Sequence, residues 1–416
     1  MISLTKKILI LTIGLISILL SVFYPGWWLL HHRSVDLPSY YVAGYMLRQN
    51  VNPYHPDEIR IMALQVELSD PIYPYVYFPL VALAFMPLSL IRYQTVQLLW
   101  FGMSLIFFWL SLLLLYFITR RCYPSDSKLF FNRFLLLIPI TCLSHPLIVN
   151  FRHGQINAIT LFLICAFLYL LMTDSEILAG IALALVISIK PQPAIILPFL
   201  LYKKRFRCVS STIISFATVT YSTVFATGWD NFRFYLRNIL PSFSLVQNQY
   251  QRIFLYEPPN QSLQGIISRA FQTTKYSRGL WEKPELAILV ACIALPTILM
   301  ISFYKLFTWN RNKPTTDQAL LRDCSYLLLT SLLISPITWD HHLVTIYPIA
   351  ALLLFDKPGP FWKSPAGIMI LFCWILMFIP LFEFHPIWTL NKLASLGMSI
   401  KGFALLGFWT LLTISG

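Results

Sequence analysis

The sequence predicts an all-α polytopic membrane protein. Hydrophobic residues make up 57% of its 416 residues and charged residues only 12%, where soluble domains carry about 25% charged residues. The apolar residues gather into repeated runs near bilayer length, and the loops between them carry the Lys and Arg. A helix rising about 1.5 Å per residue needs roughly 20 apolar residues to cross about 30 Å of hydrocarbon. Leu98 to Ile118, Ile177 to Tyr202, Glu285 to Tyr304 and Pro365 to Phe382 are the clearest such runs.

Taken in order, the first run is Ile8 to Leu20, behind Lys6 and Lys7. Bulky Val22-Phe23-Tyr24-Pro25 follows it instead of a small-residue cleavage pattern, so an uncleaved helix with its N-terminus inside is expected. Spans are expected near 8–24, 77–91, 95–118, 134–149, 156–172, 177–202, 208–227, 285–305, 323–338, 343–355, 366–383 and 395–414. That gives about twelve (10–13) transmembrane helices in a single membrane-embedded domain, 1–416, with two long non-cytoplasmic loops, 25–76 and 228–284. Lys203, Lys204, Arg205 and Arg207, and the stretch from Lys305 to Arg322, fall inside, as the positive-inside rule asks. Arg120, Arg121, Lys128 and Arg133 fall outside, so either that loop is an exception or 77–91 is re-entrant.

In the first long loop, His55-Pro56-Asp57-Glu58 starts a helix. Ile59, Met62, Ala63 and Val66 then follow at helical spacing, the pattern of an amphipathic helix lying on the membrane. The second loop holds Arg233, Arg237, Arg252, Arg269, Lys275, Arg278 and Lys283 against Asp230, Glu257 and Glu282. A net-basic loop of this kind suits a phosphate-bearing ligand. The overall charge of +14 is spread over short loops, which points to anionic lipid and not to nucleic acid. The seven cysteines form no C-x-x-C pair and are expected as buried apolar residues, with no metal site.

Asp36, in Val35-Asp36-Leu37-Pro38, is a carboxylate at the water–lipid boundary, suited to a general base; a solvated loop residue or a helix cap is the alternative. Trp339-Asp340-His341-His342 is the densest polar cluster, able to bind a lipid phosphate or to form an interfacial Trp-His belt. Lys190 lies inside an apolar run and needs either a cavity and partner or a route to the inner surface. Gln155, Asn157, Asn260 and Gln261 are amides near span ends, where capping is the simpler role. Tyr73 to Pro79 is an aromatic stretch suited to interfacial anchoring or to sugar stacking.

The ordered set resembles glycosyltransferase family 87, which contains polyprenyl-phosphate-mannose-dependent mannosyltransferases. The resemblance runs from Asp36, Tyr40, Tyr41 and Asn52-Pro53-Tyr54 through Tyr77-Phe78-Pro79 to Gly154-Gln155-x-Asn157. It continues through Lys190-Pro191 and Asn260-Gln261-Ser262-Leu263, and closes with Ser335-Pro336-x-x-Trp339-x-His341-His342. It implies a GT-C-type helical bundle with its active site at the outer face, a polyprenyl-phosphate-linked sugar as donor and no cofactor. It also implies Asp36 as catalytic base and inversion at the anomeric carbon. Tyr40, Tyr41, Tyr54, Gln155, Asn157, Asn260, Gln261, Trp339 and Asp340 are the candidate substrate-binding residues. Arg269, His341, His342 and Lys190 are candidates to steady the leaving phosphate. The expected partners are the bilayer, the lipid-linked sugar and a lipid or glycan acceptor, in a bacterial inner membrane. A polysaccharide ligase or polymerase and a lipid-linked glycan transporter are the alternatives, and no internal repeat supports the last.

Overall fold

The computed structural model describes residues 4–69, 72–124, 127–243, 255–274, 276, 278–311, 315–355, 364–380 and 394–415. Arg252 and Lys275 of the basic loop lie outside the described residues. Among the described residues the chain is helical, and its one bridge between extended residues joins Asn260 and Trp339.

The helices are α1 (Leu4–His31), α2 (Leu37–Arg48), α3 (Pro56–Gln65), α4 (Pro79–Phe85), α5 (Tyr93–Cys122) and α6 (Ser127–Cys142). There follow α7 (His145–His153), α8 (Asn157–Met172), α9 (Glu176–Ile189), α10 (Ile196–Tyr202), α11 (Phe206–Thr227) and α12 (Trp229–Phe234). The last are α13 (Leu263–Phe271), α14 (Pro284–Asn310), α15 (Asp317–Ile334), α16 (Tyr347–Phe355), α17 (Pro365–Phe378) and α18 (Ile400–Ser415). Among the described residues, Leu11–His31, Tyr93–Cys122, Phe206–Thr227 and Pro284–Asn310 are each long and apolar enough to cross a membrane. Phe130–Cys142 and His145–His153 form one further candidate, bent by 50°. The chain is therefore a multi-pass membrane protein. The residues divide into two compact units, one of Ile18–Phe117 with Ile148–Pro241, the other of Met1–Ser17, Ile118–Leu147 and Ser242–Gly416.

The first unit departs from the sequence expectation in three places. Residues 77–91, expected as a span, contain only the 7-residue α4 and a short 3-10 turn, Leu88–Leu90. Seven residues rise about 10 Å, a third of the hydrocarbon. The run 177–202 turns back on itself instead of crossing once. Pro191 bars its predecessor from helical backbone, and Lys190 is accordingly extended at φ −140, ψ 116. A 3-10 turn, Gln192–Ile195, then leads into α10. Just past α10, Arg205 bonds Asp174 at 2.7 Å and Glu176 at 2.9 Å. Both ends of the segment thus lie together and Lys190 sits at the tip, about 21 Å along α9 by helical rise. Finally, the apolar stripe of α3 packs inward: Ile59 and Ala63 are buried and α3 rests on α2, while Ile61 and Leu64 face out.

Small residues let the hairpin pack. A Cβ on Gly180 of α9 would stand 2.5 Å from the Cys208 carbonyl oxygen of α11, the close backbone approach that membrane helices use in place of hydrophobic drive. Ser211 of α11 donates to the Ile177 carbonyl at 2.7 Å, fixing the register.

Candidate functional site

In the first unit, residues 32–36 are clamped between α1, α5 and the turn after α7. Gln97 of α5 donates to the Leu29 carbonyl at 2.7 Å and accepts from the Ser34 backbone N–H at 2.7 Å and the Ser34 hydroxyl at 2.8 Å. The Asp36 N–H donates to the His153 carbonyl at 3.0 Å, and the Trp100 indole to the Gly154 carbonyl at 2.9 Å. Gly154 holds φ +68, and a Cβ there would stand 2.6 Å from Leu37 Cβ. Gly154→Ala adds both strain and a clash at the turn carrying His153 and Gln155. It should cost about 1–3 kcal/mol of stability; a thermal melt matching wild type would contradict this account.

Asp36 opens α2, yet its carboxylate makes no capping bond to the helix. Instead Oδ2 accepts from the Gln155 amide at 2.7 Å and lies 3.2 Å from His153 Nδ1. The Gln155 carbonyl in turn accepts from the hydroxyls of Tyr40 at 2.9 Å and Tyr77 at 3.1 Å. Burial, then the neighbouring Tyr77 and the Asp36 charge, push the Tyr40 phenol well above its ordinary range. Tyr40 therefore stays a donor and fixes which end of the Gln155 amide faces Asp36. The result is a buried carboxylate aimed by second-layer bonds, free of helix duty, beside an imidazole. Such a group can accept a proton from an alcohol, and the carboxylate–imidazole pair has the donor types that also ligate divalent metals.

In the second unit, Asn260 donates to the carbonyls of Pro336 at 3.1 Å and Leu255 at 3.2 Å. Its side-chain oxygen accepts from the N–H groups of Thr338 at 3.0 Å and Ser262 at 3.2 Å. Gln261 donates to the carbonyls of Pro258 at 2.6 Å and Met398 at 2.7 Å, and accepts from the Gly402 N–H at 2.8 Å. Arg269 is fully buried, on the Ser399 hydroxyl (2.9 Å) and the Glu257 carbonyl (2.9 Å). Burial lowers its pKa to about 9, with Asp340 acting the other way. These three residues fasten 255–262 to 336–339 and to the start of α18. Beside them lies a buried ionic cluster: Lys401 of α18 donates to Asp340 Oδ2 at 2.7 Å and contacts His145 Nδ1 at 2.7 Å. His145 Nδ1 is 3.2 Å from the same carboxylate oxygen. Burial opposes ionisation of Asp340, but Lys401 and His145 outweigh it and hold the carboxyl down at about 2.

The family model for glycosyltransferase family 87 matches residues 75–336. The chain belongs to that family. A Mycobacterium tuberculosis polyprenol-phosphate-mannose-dependent alpha-(1-2)-phosphatidylinositol pentamannoside mannosyltransferase is similar to it, 24% identical over 306 residues. That match covers 74% of this chain and 63% of the relative, so the chain spans less than two thirds of the relative's length. The polyprenol-phosphate-mannose-dependent alpha-(1-2)-phosphatidylinositol mannoside mannosyltransferase of Mycolicibacterium smegmatis is 24% identical over 216 residues, 51% of this chain and 45% of its own. Its Mycobacterium tuberculosis namesake is 25% identical over 235 residues, 55% of this chain and 49% of its own.

For this family 87 chain, the structure sorts the candidates. Asp36, Tyr40 and Gln155 form one hydrogen-bonded set, and the Asp36 charge reaches Lys190. Tyr41 instead donates to the Ile91 carbonyl at 2.8 Å, and Tyr54 to the Tyr77 carbonyl at 2.8 Å, with Tyr54 stacked on Phe234. Asn157 pairs with Asn150 at 3.0 Å. Trp339 is half-buried, and its backbone N–H donates to His342 Nδ1 at 3.3 Å. The His341 ring is buried, its centroid 5.7 Å from Trp339 and 4.8 Å from His342. His153, His145 and Lys401 escaped sequence reasoning. Lys401 carried the same signal as Lys190, a lysine within an apolar run; the histidines carried none beyond their place at helix ends.

Proposed function

We propose that the chain is a membrane glycosyltransferase that moves a hexose, mannose above all, from a polyprenyl-phosphate-linked donor to a lipid or glycan hydroxyl on the non-cytoplasmic face. The observation that carries this reading is the Asp36 carboxylate, buried, unused as a cap and held at 2.7 Å by an amide that two tyrosines orient. The acceptor hydroxyl gives its proton to Asp36 as its oxygen bonds the anomeric carbon. The carbon–oxygen bond to the lipid phosphate breaks, and the phosphate leaves with the electron pair. One displacement inverts the anomeric carbon. A monophosphate leaving group demands less countercharge than a diphosphate, so the reading includes neither a metal nor another cofactor.

The membrane topology that fits has about ten crossings and one re-entrant hairpin. With α4 too short to cross, residues 32–92 stay outside and α5 carries Arg120 and Arg121 inside. With 176–202 folded back, Lys203 and Arg205 remain inside, and α11 and α15 bring the 228–284 loop and Asp340 out. The short-loop clusters (Arg120 with Arg121, Lys128 and Arg133; Lys203 to Arg207; Lys305 to Arg322) then all obey the positive-inside rule, while the long basic 228–284 loop lies outside.

The deciding experiment supplies radiolabelled polyprenyl-phosphate-mannose to membranes containing the protein. A labelled product that depends on the protein is the expected result. If neither mannose nor any other polyprenyl-phosphate sugar gave one, the reading would fall.

A further inference from the structure

The segment that follows α11 presents a face that no described residue covers. α11 is long and apolar enough to cross the membrane, and Phe225 near its end is 84% exposed, as a lipid-facing side chain is. Gly228 then breaks the helix at φ +89, a conformation that favours glycine. Asn231 ties the next turn back by donating to the Thr227 carbonyl at 2.6 Å. Residues 229–240 run on as α12, a π turn over Tyr235–Ile239, and Leu240. A segment that begins two residues past a membrane-crossing helix lies at headgroup level.

Its two faces differ. On one, Phe232 meets Phe78 at 6.0 Å between ring centroids, Phe234 meets His55 at 4.8 Å, and Tyr235 meets Phe78 at 5.6 Å. Ile239 is buried on the same side. On the other, Trp229, Leu236 and Leu240 are 60%, 40% and 42% exposed, with Arg233 and Arg237 exposed among them one turn apart. Neither arginine has an ion pair or a hydrogen bond among the described residues. Asp230, the segment's one acid, stands in its first turn, where it complements the helix end.

Tryptophan and leucine interleaved with arginine are the composition of a helix lying in the membrane interface. The indole sits at headgroup level. The arginine stems cover apolar surface while their guanidinium forks match phosphate oxygens. α3, where the sequence suggested such a helix, differs: it exposes Ile61 and Leu64 with Asp57, Glu58 and Arg60, a net-acidic set that an anionic surface repels. We infer that 229–240 docks on anionic phospholipid of the leaflet from which α11 emerges. Trp229, Leu236 and Leu240 rest at the acyl boundary, and Arg233 and Arg237 bind lipid phosphates. The ligand is the lipid of the bilayer itself and not a sugar donor, so the inference stands apart from the transferase reading.

The test measures amide hydrogen exchange of the full chain in nanodiscs of phosphatidylcholine, with and without phosphatidylglycerol. Each arginine at an anionic surface is worth about a five-fold change in an equilibrium. Amides of 229–240 should therefore exchange about ten-fold or more slowly in the phosphatidylglycerol discs, while those of α8 exchange alike in both. Arg233→Gln with Arg237→Gln should erase the difference, and Arg233→Lys with Arg237→Lys should keep most of it. Both pairs are exposed and should leave the melting temperature unchanged. Trp229→Ala with Leu236→Ala should speed exchange in both kinds of disc. Inorganic phosphate added to the protein in a neutral detergent should give no slowing, which separates a lipid surface from a free anion. Equal exchange of the wild-type segment in the two discs would hand this face to another partner and overturn the inference. Slowing that survives the glutamine pair, or that free phosphate reproduces, would overturn it as well.

Discussion

Asp36→Asn should lower the rate of sugar transfer by about 10²–10⁴-fold, the usual contribution of a positioned general base, and leave the melting temperature close to wild type. Asparagine keeps the shape of the side chain and an oxygen to accept the Gln155 amide, now at 2.7 Å. The backbone bond from residue 36 to the His153 carbonyl also persists, and α2 loses no cap because Asp36 provides none. What disappears is the basic lone pair. Initial rates with a saturating lipid donor, measured beside melting curves, separate chemistry from folding. A variant that transfers at the wild-type rate would strip Asp36 of its role, while a fall in melting temperature matching the fall in rate would make the residue structural.

Lys401→Met should destabilise the protein by about 3–5 kcal/mol, the cost of leaving one partner of a buried ion pair uncompensated. Asp340 would keep its charge at low exposure with only His145 beside Oδ2, and its Oδ1 already has no hydrogen-bond partner among the described residues. The double variant Lys401→Met with Asp340→Asn removes both charges and should recover much of the loss; thermal melts of the two singles and the double give the coupling directly. The pH dependence has a definite sign. A carboxyl held at about 2 in the folded chain contributes stability that is present above the unfolded value near 3.8 and is lost only as pH falls through about 2. Melting between about pH 5 and 8 should therefore not vary on account of Asp340. Single variants as stable as wild type would show that the cluster is solvated and not a buried pair.

Much of the first site was legible. Asp36, Tyr40, Gln155 and Lys190 stand out because a carboxylate, an amide and a lysine beside apolar runs demand an explanation that lipid does not provide. The direction of the chain was not legible. Hydropathy records how apolar 177–202 is, and both a single crossing and a hairpin satisfy it; only Pro191 and Pro193 hinted at the break. The same limit hid the shortness of α4, since Tyr77 to Ile91 is apolar enough to pass for a span while Pro87 interrupts its helix. Asn260 and Gln261 were visible as polar residues, but a side chain that binds backbone and one that binds substrate look identical in sequence. Lys401 and His145 are 256 positions apart, and no local pattern announces that they meet on Asp340.

The folded-back segment also has a consequence for how the chain enters a bilayer. The 14 residues of α9 and the 7 of α10 are each too short to be accepted by an insertion machinery as a complete transmembrane stretch. Threaded out of the ribosome, 176–202 presents itself as one continuous apolar length with a lysine in its middle. The packing that holds the reversal, Gly180 against the Cys208 carbonyl and Ser211 on the Ile177 carbonyl, forms only once α11 has been made. A chain truncated between α10 and α11 would lack those contacts, and substitutions on the α9–α11 seam should show first in how much protein reaches the membrane.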